Sequence, residues 1–179
     1  MRRPGRASMP FTSDQRGDAG PASLVHARRR LGLVGAIVAV VVVIDQTTKS
    51  WALTHLASGP RHVLWTFRLA LEFNSGVAFS QATGATTIVT VIGLAVLCGL
   101  VVVAFRTSGT FTAAVLGLMI GGAVGNLADR LVRHHGGAVI DFIDPQWFPV
   151  FNVADSALTI GVILALGRSV LASRANAGA

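Results

Sequence analysis

The sequence predicts an all-α membrane protein: four transmembrane helices, with a small β-structure on one outward connection. Three observations carry that prediction. The 179-residue chain is 52% hydrophobic and only 13% charged, with positive mean hydropathy, a profile of an integral membrane bundle rather than a soluble domain. Four apolar runs, at about 31–53, 86–105, 111–131 and 153–171, each approach the ~20 residues that a bilayer-spanning helix needs. Between the first two runs, Val63, Trp65, Phe67, Leu69, Leu71 and Phe73 fall on alternate positions, the period of a strand or hairpin with one apolar face.

Residues 1–30 are rich in Gly, Pro, Ser and Arg without apolar periodicity, which predicts a disordered basic tail. Arg28, Arg29 and Arg30 ahead of the first apolar run also resemble the start of a signal peptide. No small-residue cleavage site follows, and Asp45 and Lys49 interrupt the run's continuation, so a retained helix is expected. After the alternating segment, Asn74-Ser75-Gly76 supplies turn chemistry. The second and third runs are joined by a short connection carrying Arg106. The connection at 132–152 holds two loop signals, His134-His135-Gly136-Gly137 and Asp144-Pro145. A short tail, 172–179, closes the chain.

Charge placement gives the topology. Of the fifteen basic residues behind the net charge of +7, Arg2, Arg3, Arg6, Arg16, Arg28, Arg29 and Arg30 precede the first run, and most others flank later runs. That is the positive-inside pattern rather than a nucleic-acid footprint. Four spans put both termini on one side, and the arginines assign that side to the cytoplasm. Cys98 is the single cysteine, which excludes an intrachain disulfide or a cysteine-rich metal site and leaves it as a small buried apolar residue.

With this topology the polar residues converge on the outer face. Asp45 and Lys49 lie in the outer part of the first span. Asn126, Asp129 and Arg130 end the third, Asn152 and Asp155 open the fourth, and Asp141 lies between them. A carboxylate at mid-membrane costs about 2.5–3.5 kcal/mol, and less near an interface. Each group also has a structural reading. Asp45 and Lys49 stand at i,i+4, acid first, as in a helical ion pair. Asn126 and Asp129 suit interhelical hydrogen bonds, Asn152 with Asp155 suits a helix start, and adjacent His134 and His135 suit a solvated loop. Capping does not account for Asp141, set in Val139-Ile140-Asp141-Phe142-Ile143. Two carboxylates brought together in apolar surroundings cannot both ionise cheaply; one keeps a proton while the other activates a water.

Five ordered strings resemble one family. They are Asp45-Gln46-Thr47-Thr48-Lys49, Asn74-Ser75-Gly76-Val77-Ala78-Phe79-Ser80, Gly121 through Arg130, Val139-Ile140-Asp141-Phe142 and Phe151-Asn152-Val153-Ala154-Asp155. Over about 31–171 the chain resembles lipoprotein signal peptidase, the type II signal peptidase of the bacterial cytoplasmic membrane. The resemblance implies an aspartic endopeptidase that cuts prolipoproteins before a diacylglyceryl-modified cysteine. It implies Asp141 and Asp155 as the catalytic pair, Asn74, Asn126, Arg130 and Asn152 around the substrate, and Asp45, Lys49, Gly76 and Asp129 in support. It further implies an extracytoplasmic β-cradle around 60–75, contact with membrane lipid, inhibition by globomycin-type peptides, and no metal or cofactor; the charge placement above already argues against a nucleic-acid partner. The stretch from Arg130 to Asp141 is a few residues longer than the family pattern.

Two other chemistries compete. A Ser/Lys peptidase could use Lys49 with Ser50, Ser80 or Ser156, but an ion-paired lysine is a poor base. A proton carrier could use Asp45, Asp129 and Asp155, yet a relay should cross the bilayer and these acids crowd one face.

Overall fold

The computed structural model describes residues 21–76 and 85–177. The order is α1 (Pro21–His55), β1 (Arg61–Leu64), β2 (Phe67–Asn74), α2 (Ala85–Arg106), α3 (Thr110–Val132), β3 (Val139–Asp144) and α4 (Val153–Ala177). Among the described residues, four helices are long and apolar enough to cross a membrane. Their outward surfaces carry large apolar side chains such as Val43, Ile88, Phe105 and Ile163, and Cys98, expected to be buried, is exposed among them on the outer side of α2. That is the reverse of a soluble bundle and suits a lipid solvent.

Two boundaries differ from the sequence reading. The tail expected over 1–30 is already helical from Pro21, and α4 continues to Ala177 where a tail was expected from 172. Both extensions are runs without internal glycine or proline, rich in Ala, Leu, Arg and Ser. Nothing interrupts the helix there, and proline is well tolerated at a first helical position. Residues 1–20, and residues 77–80 of the second motif, lie outside the described residues.

Helix α3 is the central element, packing against α1, α2 and α4. Its glycines let the neighbours approach. A Cβ at Gly121 would stand 2.8 Å from the Cβ of Val41 on α1, and one at Gly125 would stand 2.7 Å from Oδ2 of Asp45. Gly117, Gly121 and Gly125 recur every four residues on one face, the small-residue spacing of close membrane-helix contacts. At one level Val34, Ala104, Ala113, Leu116 and Ile120 form an apolar core.

A three-stranded antiparallel sheet, in the order β1-β2-β3, sits at one end of the bundle. The period-two segment forms β1 and β2, joined through Trp65 and Thr66, with Trp65 in the left-handed region at φ 52. Leu69 and Leu71 of β2, with Ile143, pack on Ala52, Leu56 and Phe142, seating the sheet on the end of α1. The third strand was not expected: 132–152 carried only loop signals. Its residues are nearly all buried, so Val-Ile-Asp-Phe-Ile-Asp lacks the alternation that marks a half-exposed strand. Pairing of β2 with β3 sets Glu72 opposite Asp141 and Asn74 opposite Val139.

Candidate active site

The segment entering α4 is clipped to β3. The amides of Phe142 and Ile143 donate to the Phe151 carbonyl at 3.2 and 2.9 Å, and the Phe151 amide returns a bond to the Ile143 carbonyl at 3.1 Å. This brings Asn152 against both candidate acids. Its Nδ2 donates to Asp141 Oδ1 at 2.6 Å and to Asn126 Oδ1 at 3.1 Å. Its Oδ1 accepts the Asp155 amide at 2.9 Å, while Asp155 Oδ2 accepts the Asn152 amide at 3.2 Å. The latter two bonds are a reciprocal capping arrangement at the start of α4. The helix-start reading therefore holds for both residues, and Asp155 does more. Its Oδ1 accepts Asn126 Nδ2 at 2.7 Å, so one face of the carboxylate is tied to α3.

Asp141 is buried and accepts a second side-chain bond, from Asn74 Nδ2 at 3.0 Å. Asn74 reaches it diagonally across the β2–β3 pair. The Asn74 Oδ1 in turn accepts the Gly76 amide at 2.7 Å, closing a turn in which Gly76 adopts φ 79. Desolvation pushes the Asp141 carboxyl up to about 6; the bond from Asn74 opposes this, the negative charge of Asp155 adds to it, and Asn152 and Lys49 oppose it.

Beneath the acids lies a second polar layer. Lys49 Nζ stands 2.9 Å from Asp45 Oδ2 and 2.7 Å from Asp129 Oδ2, all three side chains being fully buried. It also donates to Asn126 Oδ1 at 3.1 Å. The remaining lone pairs of the two acids are used on backbone: Asp129 Oδ2 accepts the Ile140 amide at 3.1 Å and Asp45 Oδ1 accepts the Ala154 amide at 2.9 Å. Each supporting acid thus holds the residue immediately ahead of a candidate catalytic acid. Arg133 completes the charge balance, 3.3 Å from Asp129 Oδ1 and donating through Nε to Gln46 Oε1 at 2.9 Å.

Arg130 is placed beside the acids without a salt bridge among the described residues. Its Nη1 makes a long bond of 3.4 Å to the Asn126 carbonyl, and its Nε is buried with no hydrogen-bond partner. A half-buried guanidinium whose Nε has no acceptor is available to an incoming one. Two depressions flank the site. One, about 1030 Å³, runs along β2 and is lined by Arg68, Glu72, Asn74 and Gly76, with Phe148 on its far wall. The other, about 260 Å³, is lined by Phe151, Asp155, Ser156, Thr159 and Ile160 and shares Phe148 with the first.

The structure brings together all the candidate site residues: Asp141, Asp155, Asn74, Asn126, Arg130, Asn152, Asp45, Lys49, Gly76 and Asp129. Sequence reasoning missed Gln46 and Arg133, whose only signal was Arg133 standing at i+4 from Asp129. It also missed the Arg68–Asp144 ion pair, where the bond from Arg68 holds the Asp144 carboxyl below its usual range. Lys49 is saturated by two acids and an amide, and Ser50 Oγ donates to the Gln46 carbonyl, so Lys49 pairs with no serine among the described residues; Ser80 lies outside them. His134 and His135 are exposed on the loop, and His135 packs on Phe73.

Comparison with known proteins gives a consistent answer. Residues 37–171 match the model of the family described as signal peptidase (SPase) II. The lipoprotein signal peptidase of Rhodococcus jostii is 40% identical over 158 residues, covering 84% of this chain and 78% of the relative. That of Mycobacterium tuberculosis is 39% identical over 161 residues, covering 87% and 80%. Two solved structures of a bacterial membrane enzyme, determined in meso at 1.9 and 2.3 Å, superpose with TM-scores of 0.68 and 0.69 at 32% and 33% identity. They cover 75% and 81% of this chain, and 90% and 91% of their own. A four-span bundle with its buried polar residues gathered under a sheet at one end, matched over most of its length by the family model and by these relatives, belongs to the signal peptidase II family of bacterial multi-pass membrane proteases.

Proposed function

We propose that the protein is an aspartic endopeptidase in which Asp141 and Asp155 together cleave the signal peptide from prolipoproteins, ahead of a diacylglyceryl-modified cysteine. The observation that carries this is Asn152, whose side chain and backbone bond both carboxylates at once. A cap alone would need only one of them.

A water between the carboxylates loses a proton to the ionised one as its oxygen attacks the scissile carbonyl carbon. Asp141, whose carboxyl is raised to about 6, supplies the proton that the developing oxyanion needs. The proton taken from water then passes to the leaving amine as the peptide bond breaks, and a hydroxyl of the collapsing diol returns its proton to Asp141. No covalent enzyme intermediate forms, and no metal is required. Arg130 and the amide of Asn74 hold the substrate backbone, since positioning supplies much of the barrier reduction. The β2 cleft takes the peptide beyond the membrane surface, and a globomycin-type cyclic peptide competes for the same space. The arginine-rich end of the bundle faces the cytoplasm and the acids face outward.

The test is cleavage of a diacylglyceryl-modified prolipoprotein by the purified protein in lipid, with the product read by mass spectrometry. The expected product begins with the modified cysteine, forms equally in the presence of a chelator, and does not form from the unmodified precursor. A cut elsewhere, or loss of activity with chelator, contradicts the proposal.

A further inference from the structure

At the bundle end opposite the acids, the described charge is of one sign. Asp45, Glu72, Asp129, Asp141, Asp144 and Asp155 all lie toward the sheet, while Arg28, Arg29, Arg30, Arg106, Arg168 and Arg174 lie toward the other end. Among the described residues none of those six arginines forms a salt bridge. Two of them line a cavity of about 510 Å³ between α1 and the α2–α3 connection, with His26, Leu33, Ser108 and Thr110. That volume falls within the roughly 300–1,000 Å³ of small-ligand sites. Arg30 Nε donates to the His26 carbonyl at 3.2 Å, which holds its guanidinium against the helix at the cavity rim.

Two guanidinium groups and two hydroxyls around one cavity suit a phosphate, which arginine binds through paired N–H donors. The cavity lies where α2 ends and α3 begins, at one end of the candidate spans, the level at which headgroups surround a spanning helix. Leu33 lines its wall, and Leu24, Val25 and Leu31 are exposed on the same helix. An anion with acyl chains satisfies both features; a free anion uses only the first. We propose that this cavity binds the phosphate headgroup of an anionic phospholipid, a site separate from the peptidase centre. Basic pockets between membrane helices hold such headgroups through the same chemistry.

The experiment uses the full chain in nanodiscs of phosphatidylcholine with increasing phosphatidylglycerol. Bound lipid is counted by native mass spectrometry and thermal unfolding is followed in parallel. Wild type is expected to retain phosphatidylglycerol selectively. Arg29→Gln and Arg30→Gln should each weaken retention about fivefold, as expected for one arginine at a charged surface. Arg28→Gln, outside the cavity, should change it less than twofold. Folding of each variant is checked by prolipoprotein cleavage, which these substitutions should leave intact. Equal retention of both lipids by wild type overturns the site. So does a loss in Arg28→Gln as large as in Arg29→Gln, which would mean diffuse attraction. Displacement of the lipid by millimolar inorganic phosphate overturns the lipid as the natural occupant.

Discussion

The carboxylate of Asp129 accepts the amide hydrogen of Ile140 at 3.1 Å, fixing the backbone one residue ahead of Asp141. Asp45 does the same for Ala154, one residue ahead of Asp155, and Lys49 bridges the two supporting acids. The proposed reacting pair is therefore carried by a buried ionic layer rather than by the loops alone. This arrangement makes α1 part of the site although it supplies none of the proposed reacting groups.

Removing the bridge should be severe. Lys49→Met leaves two buried carboxylates against one remaining partner, Arg133, and breaking a buried pair costs about 3–5 kcal/mol. Thermal unfolding in detergent should show that loss. Asp45→Asn keeps an acceptor for the Ala154 amide and should cost less. Equal stability of Lys49→Met and wild type would show that the layer holds nothing.

Asn152 should behave as a positioning residue with a signature in kcat. Asn152→Ala removes the bonds to Asp141 and to the Asp155 amide, and a misplacement of about 1 Å can cost on the order of 10²-fold in rate. Steady-state kinetics should give a kcat loss of that order with KM within a few-fold of wild type. A change confined to KM would instead make Asn152 a substrate ligand only.

Arg130 should show the opposite split. Its buried, unpartnered Nε means that Arg130→Gln removes no salt bridge from the free protein, so stability should hold or rise. The loss should appear in kcat/KM, about 10–100-fold for a charge-assisted substrate bond. A strongly destabilised variant would show that Arg130 serves the fold.

The four spans and the carboxylates set among apolar residues were legible because each is a local property. A run of apolar residues, or a carboxylate inside one, can be read without knowing its neighbours. What joins them was not legible. Asn74 meets Asp141 only through pairing of β2 with β3 across two membrane helices, and β3 is buried enough to lack a strand's period. The second partner of Lys49, Asp129, lies on another helix, whereas the i,i+4 partner Asp45 was evident from spacing. Gln46 was given no role because its contacts across to Gly125 and Asp129 depend on how closely α3 approaches α1.

The raised Asp141 carboxyl predicts a pH signature in stability. A folded-state value of about 6, above the ordinary 3.8, means that the fold favours the protonated form. The associated stability is fully present below about 3.8 and is lost as pH rises through 6. The difference in thermal midpoint between Asp141→Asn and wild type should therefore move in favour of the variant between pH 5 and 7. A difference independent of pH across that interval would contradict the shift.

The most direct test of the dyad compares turnover of a diacylglyceryl-modified prolipoprotein by wild type, Asp141→Asn and Asp155→Asn, each shown to be folded by its thermal transition. Both substitutions should abolish cleavage, a loss of at least about 10³-fold, because neither carboxyl can do the work of the other. Near-normal turnover by either folded variant would contradict the assignment of Asp141 and Asp155 as the catalytic pair.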